Sequence, residues 1–164
     1  MSGTDGSETA GTEGTDAVQG VTLSHIGLCV SDVERSTTFY VDGLGFVVTA
    51  DHSVGAEFGP LMEVESPDLR SRFIHRDGIS IELLQFVRPG HLGDGSRREV
   101  NRLGFTHMCL NVTDVDAVAA RIDAAGGTVL ADTWTTVPMG PDTELRFVYC
   151  TDPDGTRIEL MQLG

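Results

Sequence analysis

The segment Asp77-Gly-Ile-Ser-Ile-Glu-Leu-Leu-Gln85 returns 77 residues later as Asp154-Gly-Thr-Arg-Ile-Glu-Leu-Met-Gln162. A second segment, His25-Ile-Gly-Leu-Cys-Val-Ser-Asp-Val33, returns 82 residues later as His107-Met-Cys-Leu-Asn-Val-Thr-Asp-Val115. Two repeats in the same order indicate an internal duplication, which determines architecture more firmly than local propensity does. Each copy begins with a predicted strand that carries His and ends with a predicted strand that carries Glu.

The residues around these repeats predict the same order of elements, βαβββ, in both copies. In the first copy, Ser31 or Asp32 can cap the helix, and Asp77-Gly78 is a hairpin signal between the last two strands. The predicted elements are a strand over 21–30, a helix to about residue 42, and strands over 46–50, 69–75 and 79–87, with an irregular segment over 52–67. In the second copy they are a strand over 104–112, a helix over 114–125, and strands over 128–131, 144–150 and 156–163, with a Pro/Gly loop before residue 143.

The fold class is therefore α+β, with two tandem βαβββ modules in a single domain. We expect the domain over residues 21–163, with module one at 21–88, a Pro/Gly-rich linker at 89–102 and module two at 103–163. Residues 1–20 contain four acids, no bases and many Gly and Thr, which predicts a disordered acidic tail.

The composition excludes several classes of function. The formal net charge is -14, and such an acidic surface repels nucleic acid and anionic membranes, so neither is an expected partner. The chain has 11 basic residues, all Arg, which excludes Schiff-base catalysis by lysine and a P-loop lysine. No apolar run is long enough to span a bilayer, and the first residues do not resemble a signal peptide, so a cytoplasmic location is expected. Three widely spaced cysteines in apolar segments predict buried, unpaired thiols.

The repeated glutamates lie in an unusual position. Glu82 and Glu159 each stand between Ile and Leu, and the alternation of a strand places those apolar neighbours on the opposite, helix-covered face. A carboxylate in the middle of a core strand is costly unless it is paired or bound to a metal. Folding the two copies about a pseudo-twofold axis brings the four repeated polar residues to one centre. The sequence thus predicts a four-ligand metal site of His25, Glu82, His107 and Glu159.

Three motifs identify a family that this duplicated pattern resembles. They are H-x-x-L-x-V-x-D from His25, F-Y-x-x-G-L-G-F from Phe39, and D-x-D-G-x-x-I-E-L from Asp152. Together, over residues 21–163, they resemble the vicinal oxygen chelate superfamily. That superfamily includes glyoxalase I, methylmalonyl-CoA epimerase, extradiol dioxygenases and the fosfomycin- and bleomycin-resistance proteins.

The resemblance implies a divalent metal held by the same four residues, and a homodimer. Two imidazoles and two carboxylates suit Ni, Co, Zn, Mn or Fe, and leave two adjacent positions where a substrate chelates through two oxygens. Proton abstraction next to a carbonyl then produces a metal-bound enediolate or enolate. We expect Glu159 to be both ligand and proton shuttle and Glu82 to be its counterpart, although the residues leave that assignment open. Whether the cleft lies within one chain or between two also stays open.

Departures from glyoxalase I narrow the expected substrate. An Arg four residues after the first ligand and an Asn four residues after the first Glu hold glutathione in that family, whereas this chain has Cys29 and Phe86. These less polar residues argue against lactoylglutathione and favour a small carbonyl or acyl substrate. Arg157 shares the face of Glu159 and is a candidate for a substrate carboxylate. The linker arginines Arg97, Arg98 and Arg102 are candidates for a phosphate or CoA tail.

Three functions are compatible with these residues. The first is a metal-dependent isomerase, epimerase or lyase that acts by enolisation. The second is a resistance-type protein that binds a small molecule, with or without metal, and does not transform it. The third is an Fe(II) dioxygenase of the extradiol kind, which uses two His and one carboxylate and leaves the position of Glu82 without a role.

Overall fold

A computed structural model describes residues 20–164 of the chain; the predicted tail, apart from Gly20, lies outside the described residues. The strands are β1 Ile26–Cys29, β2 Val47–Val54, β3 Asp68–Arg76, β4 Ile79–Arg88, β5 Met108–Asn111, β6 Thr128–Val129, β7 Thr135–Pro138, β8 Glu144–Thr151 and β9 Arg157–Leu163. The α-helices are α1 Val33–Thr38, α2 Gly59–Met62 and α3 Val115–Ala124. A π-helix, Phe39–Gly43, continues α1, and 3-10 turns lie at Ala56–Phe58 and Ala131–Thr133. Among these helices, we find none with the length and apolar character needed to cross a membrane.

The strands form two sheets with matching topology. The first sheet has the order β1-β4-β3-β2, and the second has the order β5-β9-β8-β6 with β7 also paired to β8. In the first sheet β1 runs parallel to β4, and in the second β5 runs parallel to β9. Gly27 therefore lies opposite Glu82, and Cys109 lies opposite Glu159. This arrangement confirms the predicted α+β fold with two βαβββ modules.

The repeated glutamines Gln85 and Gln162 connect the last strand of each module to the helix of the same module. Asp32 caps α1 through the backbone N–H groups of Glu34 and Arg35, as Asp114 caps α3. A further helical N–H is bound from outside the helix: Val33 N donates to Gln85 Oε1 at 3.2 Å, and Val115 N donates to Gln162 Oε1 at 2.7 Å. Each helix therefore begins on a side chain of the last strand of its own module.

The modules share one hydrophobic core. Ile81, Leu83, Ile158 and Leu160 are almost completely buried and belong to a single cluster that also contains residues of α1, the π-helix and α3. Both sheets contribute their helix-covered faces to this core, as the Ile-Glu-Leu pattern predicts. The two glutamates consequently lie on the other face of each sheet.

Polar contacts also join the modules. The Tyr40 hydroxyl donates to Asp152 Oδ2 at 3.0 Å, and burial is the main cause that raises the pKa of both groups. Asp154 Oδ1 accepts from the hydroxyl of Ser31 and from the guanidinium of Arg35, both at 2.6 Å. These buried and half-buried contacts orient the β8–β9 turn against the start of the first module.

Several predicted boundaries were wrong, for identifiable reasons. β1 and β5 are shorter than predicted because β4 and β9 begin only at residues 79 and 157, so the residues before His25 and His107 have no strand beside them. β2 continues to Val54 because β3 pairs with it over that length. β7 lies in the predicted Pro/Gly loop, where β8 extends beyond β6 and supplies a partner. Of the three cysteines only Cys150 is buried; Cys29 and Cys109 are exposed on the sheet faces that carry the glutamates.

Candidate metal centre

Half-site 1 consists of His25 and Glu82 with the residues that support them, Ser24, Ser71 and Phe73. His25 directly precedes β1, and its Nε2 lies 3.1 Å from Glu82 Oε2. Its Nδ1 lies 3.0 Å from the Ser24 hydroxyl, and its ring packs edge-on against Phe73 at a centroid distance of 5.2 Å. The buried Ser71 hydroxyl donates to Glu82 Oε1 at 2.5 Å. The carboxylate of Glu82 is thus held by both of its oxygens.

Half-site 2 repeats this arrangement with His107 and Glu159, supported by Thr106, Cys109 and Tyr149. His107 Nε2 lies 3.5 Å from Glu159 Oε2, and its Nδ1 lies 3.0 Å from the Thr106 hydroxyl. The ring of His107 packs against Tyr149 at 5.5 Å, and the Cys109 thiol donates to Glu159 Oε1 at 3.4 Å. Partial desolvation of the thiol, followed by its hydrogen bond to Glu159, raises the pKa of Cys109 to about 11.

The distances within each half-site suit two ligands of one ion. Two donors at right angles, each about 2.1 Å from a common ion, lie about 3 Å apart. The Nε2–Oε2 distances of 3.1 and 3.5 Å are close to this value. The second ring nitrogen of each histidine, Nδ1, lies within hydrogen-bond distance of a hydroxyl, as is common for metal-bound histidines. The donor set therefore fits a divalent metal.

The four predicted ligands do not meet in one chain. Across residues 20–164, no group of three or more His, Cys, Asp or Glu side chains is positioned to hold a metal ion. The physical reason is the shared core: each His–Glu pair lies on the face of its own sheet that is opposite the core. The structure brings His25 to Glu82 and His107 to Glu159, and the complete set of four stays a prediction.

The other candidate residues lie on or near these faces. Cys29 lies opposite Leu84, and Phe86 lies opposite Leu69, both on the face of Glu82. Arg157 is buried on the face of Glu159, with its guanidinium carbon 5.3 Å from the Tyr149 ring centre. A cavity of about 200 Å³ reaches Glu159 and is lined by Thr133, Thr135, Val137, Phe147, Val148 and Tyr149.

Sequence reasoning missed the residues that support the glutamates. Phe73 lies directly opposite Glu82, and Tyr149 lies directly opposite Glu159, in the neighbouring antiparallel strand. The hairpin at Asp77-Gly78 contains the signal for the first of these, because counting outward from a two-residue turn pairs residue 73 with residue 82. Ser71 and Cys109 have no comparable signal, because their contacts depend on side-chain direction.

Paired βαβββ modules, each with a His before its first strand and a Glu on its last, define the vicinal oxygen chelate class of protein. The sequence profile of the Glyoxalase/Bleomycin resistance protein/Dioxygenase superfamily matches residues 22–160. The chain belongs to this superfamily, which confirms the resemblance drawn from the motifs.

Two relatives are similar in sequence. The uncharacterized protein YaeR of Escherichia coli is 28% identical over 141 residues, covering 85% of this chain and 95% of the relative. A 2-epi-5-epi-valiolone epimerase from an Actinomyces species is 25% identical over 152 residues, covering 87% of this chain and 80% of the relative.

Two solved structures are similar in fold. A glyoxalase family protein from Bacillus cereus has a TM-score of 0.74 and 18% identity, and the match covers 91% of this chain and 98% of that chain. The fosfomycin resistance protein FosX from Listeria monocytogenes, in complex with Mn(II) and sulfate, has a TM-score of 0.51 and 19% identity, with 86% and 91% covered. At these identities the likeness establishes the fold alone.

Proposed function

We propose that the protein is a divalent-metal-dependent isomerase, epimerase or lyase that removes a proton next to the carbonyl of a small carbonyl or acyl compound. The observation that carries the proposal is the pair of matched half-sites, each with an imidazole and a carboxylate at the separation of neighbouring metal ligands. The superfamily contains enzymes of this kind. The similarity to an epimerase from Actinomyces supports epimerisation as the first reaction to test.

The complete centre is proposed to form between two copies of the chain, in which half-site 1 of one protomer faces half-site 2 of its partner. β1 and β5 are edge strands of their sheets, they are short and largely exposed, and each directly follows a ligand histidine. An exposed edge is available to a second copy. Because a twofold interface uses each surface twice, one dimer would contain two equivalent four-ligand centres.

An ion held in this way would supply a Lewis acid for the carbonyl oxygen of the substrate. The protein's own contribution is the base, and the two glutamates differ in how firmly they are held. Glu82 accepts a short hydrogen bond from Ser71, whereas Glu159 has a long contact with the weak thiol donor Cys109 and a hydrogen-bonding interaction with the Tyr149 hydroxyl. Burial, followed by that interaction, raises the pKa of Tyr149. The less restrained carboxylate moves at lower cost. Glu159 is therefore proposed to take the proton from the substrate carbon and return it, while Glu82 stays in place.

The donor set narrows the choice of metal. Imidazole and carboxylate ligands suit Mn, Fe, Co, Ni and Zn. Mn(II) is the first ion to test, because the structurally similar fosfomycin resistance protein was solved with it.

The function is tested by deuterium exchange in D2O on protein loaded with each metal, with 2-oxo compounds, cyclic ketones and acyl-CoA thioesters as substrates. We expect metal-dependent loss of the proton next to the carbonyl, observed by NMR. Tight binding of a compound without exchange would instead support the resistance-type alternative. Oxygen uptake with a catechol and Fe(II) would support the dioxygenase.

A mixing experiment tests the shared centre. His25→Ala removes a ligand from half-site 1, and His107→Ala removes one from half-site 2. If the centre is shared, each variant is inactive alone, and an equimolar mixture after subunit exchange recovers about a quarter of the activity, because half of the dimers contain one intact centre of two. Two inactive variants that do not complement each other would contradict a centre between chains.

A further inference from the structure

Arg157, the first residue of β9, is a buried charge without a counterion. Its side chain is 5% exposed, and within residues 20–164 it forms no ion pair with a carboxylate. The guanidinium donates to two backbone carbonyls, Arg98 O at 2.7 Å and Thr106 O at 3.5 Å. Its Nε–H is buried and has no hydrogen-bond partner in the described part of the chain.

This situation is energetically unusual. A guanidinium stays protonated in proteins, and a buried charge is costly unless an opposite charge compensates it. Six of the other arginines lie within ion-pair distance of a carboxylate: Arg35, Arg70, Arg72, Arg76, Arg88 and Arg146. In a chain with a net charge of -14, acidic groups are abundant, so the isolation of Arg157 indicates that its counterion comes from outside the protein.

The space beside Arg157 is lined by arginines and adjoins the cavity that reaches Glu159. A cavity of about 370 Å³ is lined by Arg157, Tyr149, Thr133 and the linker residues Arg97, Arg98, Glu99, Val100 and Asn101. Arg97, Arg98 and Arg157 also line a cavity of about 350 Å³ on the side of β1. Tyr149 and Thr133 are shared with the smaller cavity that reaches Glu159. The arginines and Glu159 therefore line neighbouring cavities that meet at Tyr149 and Thr133.

We propose that Arg157, together with Arg97 and Arg98, binds an oxyanion of the substrate, either a carboxylate or a phosphate. Guanidinium groups bind both through charge-assisted, often bidentate hydrogen bonds. The guanidinium of Arg157 lies 5.3 Å from the ring centre of Tyr149, which is the cross-strand partner of Glu159.

The spacing defines the class of substrate, and this step depends on the proposed function of Glu159. Residues 157 and 159 are two positions apart on one strand, so they lie about 7 Å apart along β9. The oxyanion is therefore several bonds away from the carbon that loses its proton. Keto compounds with a remote carboxylate or a phosphate ester satisfy this requirement, whereas neutral carbonyl compounds do not.

The test measures anion binding separately from metal chemistry. The full-length protein, as purified and after dialysis against a chelator, is titrated with inorganic phosphate and with succinate, by calorimetry and by thermal unfolding. We expect at least one anion to bind and to raise the melting temperature in both preparations. The anion that binds more tightly indicates whether the substrate carries a phosphate or a carboxylate. If neither anion binds, the proposal is wrong.

The key variant is Arg157→Met, with Arg121→Met as the matched control, since Arg121 also forms no ion pair in the described residues but lies on α3. Arg157→Met should weaken anion binding about tenfold or more. In anion-free buffer it should also lower the melting temperature, because Arg98 O and Thr106 O lose their donor, so anion affinity is the readout that tests the proposal. Arg121→Met should bind the anion as the wild type does.

A purely structural role for Arg157 would lower the melting temperature and leave the anion affinity unchanged, and that result would contradict the proposal. If Arg157→Met does not fold, the double variant Arg97→Gln/Arg98→Gln replaces it and should weaken binding in the same direction. Anion binding that persists in a protein that takes up no metal would contradict the proposed function and leave this site intact. Metal-dependent exchange without any effect of Arg157→Met on anion affinity would support the proposed function and contradict the anion site.

Discussion

The two half-sites have the same backbone register but hold their carboxylates with different firmness. In half-site 1 the carboxylate of Glu82 lies 3.1 Å from His25 and accepts a 2.5 Å hydrogen bond from Ser71. In half-site 2 the corresponding distances for Glu159 are 3.5 Å to His107 and 3.4 Å to a thiol. A duplicated fold can therefore repeat the same His–Glu pair in different surroundings, since the difference arises in the neighbouring side chains.

The same asymmetry appears outside the candidate site. Glu34 at the start of α1 pairs with Arg70 at 2.6 Å, and Asp116 at the start of α3 pairs with Arg146 at 2.8 Å, in matching positions. In the first module the buried Arg72 also binds Glu34 and reaches Asp51. The helix of the first module is thus more firmly attached to its sheet.

The largest expected effect is on catalysis by the two glutamates. Glu159→Gln should reduce proton exchange about 1,000-fold, because it removes the base, and Glu82→Gln should reduce it much less at saturating metal. The measurement is deuterium incorporation followed by NMR, with metal content determined on the same samples. A greater loss for Glu82→Gln would reverse the assignment of the base.

The next largest effect is on metal binding, where we expect equal losses of affinity from changes in the two half-sites. His107→Ala and Glu159→Ala should each weaken metal affinity by more than about 100-fold, and His25→Ala should do the same. The fold should survive, because these side chains lie at the surface of the sheets and not in the core. Elemental mass spectrometry measures the metal, and circular dichroism checks the fold. Full metal occupancy in His107→Ala and Glu159→Ala would place the centre elsewhere.

A smaller effect should follow from the supporting residues. Ser71→Ala removes the hydroxyl that holds Glu82 and should cost about 1–2 kcal/mol of stability and up to about tenfold in metal affinity. Cys109→Ala, the matched change in half-site 2, should have little effect on either quantity. Chemical unfolding and metal titration give both values. Equal losses in the two variants would mean that the half-sites are equally restrained.

The smallest effect is on the pH dependence of stability. Hydrogen bonds from Arg72 and Arg70 lower the pKa of Glu34 from 4.5 to about 2. A lowered carboxyl pKa contributes stability above the ordinary value, and this contribution disappears as the pH falls from about 4.5 to about 2. Glu34→Gln should reduce the pH dependence of the unfolding midpoint over this range. The reduction should be modest because Glu34 is exposed and solvent screens the pair. Asp116→Asn, which loses contact with one arginine only, should change it less.

The sequence predicted the parts of the fold that depend on local patterns. The turns at Asp77-Gly78 and Asp154-Gly155 located β4 and β9 to within about a residue, and the Ile-Glu-Leu pattern assigned the faces of both glutamates correctly. β7 was missed because Pro and Gly residues surround it, and its pairing depends on the length of β8.

The sequence predicted that the four ligands come to one centre, but the two pairs lie apart within the described chain and their meeting stays a prediction. Alternation along a strand determines which face of a sheet a side chain occupies, but it contains no information on how two sheets meet. The core that both sheets share is built from Leu83, Leu160 and the helices. An apolar strand face alone does not determine which other sheet it packs against. For the same reason, the unequal roles of Ser71 and Cys109 became visible only from the coordinates.

The glutamine that starts each helix has one more consequence. Gln85 and Gln162 each follow the glutamate of their strand by three residues, so the two side chains point to opposite faces of the sheet. A shift of this strand by one residue would move the carboxylate to the other face of the sheet. The same shift would take the glutamine away from the helix N-terminus that it binds. A change that moves the carboxylate from its position would therefore also destabilise the helix of the same module.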